Sequence, residues 1–137
     1  MAIDFFIKFD GIVGESVDKD HKGEIGVVSW NWSIANTPPS AVGGSGAGKS
    51  VPGALSFQHA YDKASPVLGA FCASGKIFKQ VSLSARKAGE GQKDFLKIIL
   101  KGVLVTSVLV DASGDGGLHE SISLAYRDIE FAYKPED

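Results

Sequence analysis

A two-residue alternation of apolar and polar side chains runs through most of this chain, and it constrains the fold more than any other feature. In IDFFIKF, Ile3, Phe5, Ile7 and Phe9 share one parity, with Asp4 and Lys8 on the other. An extended backbone sends successive side chains to opposite faces, so the pattern predicts a half-buried strand. EIGVVSWNWSI reads the same way, with Val28, Trp30, Trp32 and Ile34 on one side and Val27, Ser29, Asn31 and Ser33 on the other. Leu55, Phe57, His59 and Tyr61 alternate with small or polar residues, and Val81, Leu83 and Ala85 continue the theme. FLKIILKGVLVTSVLV is long and β-branched, with Gly102 expected to bend or bulge it. Beyond the turn signal at residues 114–117, Ile122, Leu124 and Tyr126 share a parity opposite to that of Ile129, Phe131 and Tyr133. A bulge near Arg127 and Asp128, in one bent strand or a strand pair, reconciles the two halves.

Only SPVLGAFCASGK reads as a helix. Ser65 suits an N-cap, Pro66 the first helical position, and Gly75 a left-handed terminus. Val67, Leu68, Phe71 and Cys72 form its apolar stripe. About eight strands with one short helix predict a mainly β protein, an antiparallel barrel or sandwich. The 137 residues fit a single domain spanning 1–137.

A formal charge of -2 creates no field that would draw nucleic acid or an anionic membrane, so neither partner is expected. No run approaches the ~18 apolar residues of a membrane span. MAIDFFIKFD has no basic stretch ahead of an apolar run, so no cleaved secretory signal is expected. One cysteine excludes an internal disulfide and a cysteine-rich zinc site.

Residues 43–50, GGSGAGKS, fit the nucleotide-binding pattern G-x-x-x-x-G-K-[ST] without mismatch. That loop functions by joining a buried strand to a helix whose N-terminal amides face the phosphates. Here Pro38 and Pro39 stand upstream, while Val51, Pro52, Gly53 and a strand alternation follow. Neither neighbour fits. The reading favoured instead is a long flexible loop over residues 36–53, with Gly43, Gly44, Gly46 and Lys49 as assembly-contact candidates.

His21, His59 and His119 lie in separate segments without metal spacing and are expected at the surface or in local hydrogen bonds. Cys72 sits on the helix stripe as a core residue. Asp18, Lys19, Asp20, His21 and Lys22 read as a solvated turn. Nothing assembles a catalytic group, and no cofactor is expected. Trp30 and Trp32 are expected in the core or a subunit contact, with a monomeric carbohydrate-binding sandwich as an alternative use of them. Ser29, Asn31 and Ser33 on the opposite face suit a wet inner surface, and a P-loop nucleotide-binding protein is the remaining alternative.

GESVDKDHKGEIGVVSWNW at residues 14–32, YDKASPVLGAFCASGK at 61–76 and ARKAGEGQKDFLKIILKGVLVTSV at 85–108 resemble, in order, segments of one family. It is the haemolysin-coregulated protein family, Hcp, the tube subunits of the bacterial type VI secretion system. The resemblance implies a β-barrel of two antiparallel sheets with a flanking helix and an extended, often glycine-rich, inter-strand loop. It implies a homo-hexameric ring without enzymatic activity, stacked into a tube within sheath proteins. A spike-tip partner and small effectors carried in the lumen are also implied. Such a protein starts in the bacterial cytoplasm and is secreted without a cleaved signal. By the same resemblance Asn31 faces the ring interior.

Overall fold

In the computed structural model, which describes residues 2–38, 49–89 and 91–135, the alternating segments become ten strands and one helix. In chain order these are β1 (Ile3–Phe9), β2 (Ile25–Val27), β3 (Ser29–Asn31), β4 (Ile34–Thr37), β5 (Lys49–Pro52) and β6 (Leu55–Ala60). Then come α1 (Ser65–Ser74), β7 (Ile77–Lys87), β8 (Asp94–Ser113), β9 (Gly117–Ala125) and β10 (Asp128–Tyr133). All pairings are antiparallel: one sheet runs β2-β1-β7-β8-β9-β6-β3 with β10 on β8, and β4 and β5 pair separately.

The fold turns on β8, twenty residues long and continuous across Gly102. Its first half pairs with β7 and β10; beyond Gly102 its main partner is β9. At the corner Gly102 has φ +63°, and an added Cβ would lie 3.1 Å from the Cβ of Arg127. Glycine is the residue that takes this backbone without strain. The parity reversal expected near Arg127 is the gap between β9 and β10, where the chain passes from one half of β8 to the other. The ladder does not close into a continuous barrel. Instead β2 and β3, its two outer strands, are consecutive pieces of one chain segment that changes partner at Val28, whose N–H bonds the Gln58 carbonyl at 2.8 Å.

That change of partner corrects the continuous strand read through residues 24–34. Ile25 and Val27 are buried on one side of the break and Trp30 is half-buried beyond it, while Val28 and Ile34 are exposed. A strand keeps one parity only while it keeps one sheet.

Inside the curled sheet lie Ile7 and Phe9 of β1, Leu83 of β7, Leu100 of β8 and Phe57 of β6. Each contributes about 1.5–3 kcal/mol through removal of its side chain from water. The helix closes one side with Leu68 fully buried and Phe71 and Cys72 packed on the core. Gly75 ends it in the left-handed conformation at φ 72°. Ser65 is not the cap: Ala64 holds that position, and the Ser65 hydroxyl accepts the Asp62 N–H at 3.1 Å. The Asp62 carboxylate in turn accepts the Ala64 N–H at 2.9 Å, so a turn before the helix satisfies these groups.

Candidate functional site

The outer face of β3, β6 and β9 carries a polar lattice built by strand register. Asn31 stands opposite Ser56, Ser56 opposite Ser123, and Ser123 opposite Ser107 of β8. One step along, Ser29 pairs with Gln58 and Gln58 with Ser121. The intervening row, Trp30, Phe57 and Ile122, points inward. The hydroxyls of Ser56 and Ser123 are 2.9 Å apart, and Ser29 Oγ donates to Gln58 Oε1 at 3.4 Å. Together they line a shallow hollow of about 150 Å³. Short hydroxyl and amide side chains leave such a face wettable, able to exchange water for other polar groups at little net change.

Ser29 and Asn31 therefore lie on this lattice. Ser33 does not, because it follows the end of β3 at the root of the β4–β5 pair, where its carbonyl accepts the Gly53 N–H at 2.7 Å. Ser56, Gln58, Ser121 and Ser123 are additional members. Their signal is present in LSFQHA and SISLA, where Ser or Gln alternates with core residues, but only the register shows that three strands share one face.

Both ends of the segment expected as a flexible loop over residues 36–53 are strands. They are β4 and β5, an antiparallel arm with Ile34 opposite Pro52 and Thr37 opposite Lys49. All eight arm residues are exposed. Lys49 opens β5; Gly43, Gly44 and Gly46 lie outside the described residues. Because Lys49 and Ser50 start a strand and not a helix, no N-terminal amides are presented to a triphosphate, and the P-loop alternative loses its geometry. The carbohydrate alternative loses its platform too. Trp30 packs edge-on to Phe5 at 6.2 Å, and Trp32 packs on Phe131 at 4.8 Å while donating Nε1–H to the Tyr126 hydroxyl at 2.7 Å.

Two of the histidines expected at the surface or in local hydrogen bonds are buried, and of these His21 does bond a local partner, Glu24. His59 is fully buried, with Nε2 2.7 Å from Glu120 Oε1 and no partner for Nδ1 among the described residues. His21 is 6% exposed, stacks on Phe6 and spans two carboxylates, Glu24 at 3.0 Å and Asp94 at 2.9 Å. The segment read as a solvated turn is thus tied to the sheet. Arg86, itself buried, reaches both Asp18 and Asp20. Glu24 is a local partner of His21, but Asp94 lies 73 residues from it, and Asp18 and Asp20 lie 68 and 66 residues from Arg86, beyond the reach of local pattern. Among the described residues, no three His, Cys, Asp or Glu side chains converge to hold a metal ion, and no helix is long and apolar enough to cross a membrane.

Burial opposes the charge on His21, but the hydrogen bonds it donates to Asp94 and Glu24, with the negative charge of both, outweigh burial and raise its pKa above 6.5. A raised folded-state value means that this stabilisation is complete below about pH 6.5 and fades as pH rises through the folded value. The melting temperature is expected to fall as pH rises above 6.5, and a His21→Gln variant is expected to lack that component of the slope. Parallel thermal melts of the two proteins across neutral pH check this.

The chain matches the family model described as "Type VI secretion system effector, Hcp" over residues 6–133. It is 42% identical to protein hcp1 of Pseudomonas aeruginosa, the match covering 99% of this chain and 86% of the relative. Among solved structures it superposes on Hcp1 from Salmonella typhimurium with a TM-score of 0.84 at 39% identity, covering 97% of this chain and 87% of that one. A type VI secretion system effector from Yersinia pestis gives 0.81 at 35% identity, over 95% and 89% of the two chains.

Proposed function

From the premise that this chain belongs to the Hcp family of type VI secretion proteins, we propose that it is a non-enzymatic tube subunit. Six copies close into a ring, and rings stack into a tube that carries small effectors. The polar lattice of β3, β6 and β9 carries this reading. A sheet with one apolar face against its core and one hydroxyl-lined face suits the wall of a water-filled channel, where cargo binds by hydrogen bonds it can also release. Ser29 and Asn31 are its cargo-contact residues, with Ser33 a neighbour at the arm root. The arm, with Lys49 and the glycines Gly43, Gly44 and Gly46, reaches the next ring or subunit. Its exposed Ile34 and Val51 give it apolar surface to bury there.

Buried titratable groups have structural work: His59 bonds Glu120 in the core, His21 is taken up by two carboxylates, and Arg86 reaches Asp18 and Asp20. The protein therefore acts through its surfaces. Its partners are other copies of itself, a spike-tip protein, sheath proteins and the effector. It leaves the bacterial cytoplasm through the secretion machine, without a cleaved signal peptide.

Light scattering tests the reading directly. The expected mass is six times the 14.4 kDa of one chain or a multiple of that ring; a monomer at all concentrations overturns it. Asn31→Arg repeats a cation around the ring by symmetry and is expected to leave the ring mass intact while reducing effector recovery in a pull-down. Dissociation to monomers would instead place Asn31 in an interface.

A further inference from the structure

A two-stranded hairpin is marginal in water unless something else holds it, and the β4–β5 arm exposes all eight of its residues. Its direction must therefore be set at its root. There the Tyr126 hydroxyl accepts Nε1–H of Trp32 at 2.7 Å and donates to the Gly53 carbonyl at 2.7 Å. Trp32 precedes the arm and Gly53 follows it, so one oxygen joins the two chain ends of the hairpin. The Gly53 N–H closes the root by bonding the Ser33 carbonyl at 2.7 Å. A Cβ on Gly53 would lie 2.9 Å from Ser33 Oγ and 3.0 Å from Ser33 O, so the two ends touch as closely as glycine permits. Tyr126 itself sits in the gap between β9 and β10, and Trp32 is wedged against Phe131 of β10.

We propose that Tyr126 is a positioning residue for assembly: its hydroxyl pins both ends of the arm and so holds the arm at the angle that meets a neighbouring copy. This rests on the assembly reading above. A single hydroxyl serving as acceptor and donor has a definite geometry, whereas phenylalanine keeps the ring and its packing but loses both bonds. The loss falls on the arm because the Ser33–Gly53 bond closes the hairpin only on itself, whereas the Tyr126 hydroxyl ties both of its ends to the gap between β9 and β10.

The experiment compares wild type, Tyr126→Phe and Trp32→Phe at matched protomer concentration, by hydrogen exchange and light scattering. In Tyr126→Phe, protection at residues 34–37 and 49–51 is expected to drop about tenfold relative to the amides of β7, as befits the loss of two modest hydrogen bonds. Ring stacking is expected to need about tenfold more protein. Trp32→Phe, which removes one of the two bonds, is expected to fall between. Unchanged arm exchange, an equal rise in β7, or loosened exchange with unaltered stacking would each overturn the proposal. A wild type that stays monomeric defeats the assembly reading itself; an assembling wild type beside a Tyr126→Phe chain with unchanged arm exchange defeats the pin alone.

Discussion

His59→Leu is expected to destabilise the protein by about 3–5 kcal/mol, the range for leaving one member of a buried pair without its partner. Glu120 is 1% exposed, and His59 Nε2 is the group within 2.7 Å of its carboxyl. Removing the imidazole leaves that carboxyl buried without its hydrogen-bond partner. Glu120→Leu should cost less, about 1–3 kcal/mol, because an orphaned imidazole is a weaker burden than an orphaned carboxylate. The double variant His59→Leu/Glu120→Leu removes both polar groups at similar volume and is expected to recover most of the His59→Leu loss. Urea unfolding of the four proteins at one protomer concentration measures the cycle. A double variant as unstable as the sum of the singles would mean zero coupling energy, so that the two side chains stabilise the fold independently and not as a pair.

Leu100→Ala is expected to cost about 2–5 kcal/mol, set by lost burial and by the cavity left behind. Leu100 is fully buried, with Val81 and Ile129 opposite it on the two adjoining strands. Leu109 provides the control on the same strand: it is 64% exposed, and Leu109→Ala is expected to change stability by less than about 0.5 kcal/mol. Denaturant midpoints of the two variants are the measurement. Equal losses would show that the far half of β8 is packed as tightly as the near half.

The contrast between those leucines marks where local reading reached its limit. Both sit in one β-branched run, FLKIILKGVLVTSVLV, and the glycine between them was legible as a bend. Which leucine faces the core depends on what each half of the strand pairs with, and that is a property of other segments. The same holds at Val28, where a continuous alternation conceals a change of sheet partner. The loop over residues 36–53 looked structureless because its composition is polar and glycine-rich, yet its two ends supply each other's backbone partners as β4 and β5.

By itself the sequence determined the mainly β class, the single helix and its glycine end, the bend at Gly102, and the parity break after Tyr126. It also supported the family resemblance through three ordered segments. These are local consequences of side-chain period and backbone freedom, which a short window contains. The tertiary structure decided the rest: the serine lattice across three strands, the Tyr126 link at the arm root, and the burial of His21, His59 and Arg86. Each of those depends on register or on partners tens of residues away. A hydrogen bond or a buried charge is satisfied by whatever the fold brings within about 3 Å, and no local pattern records that distance.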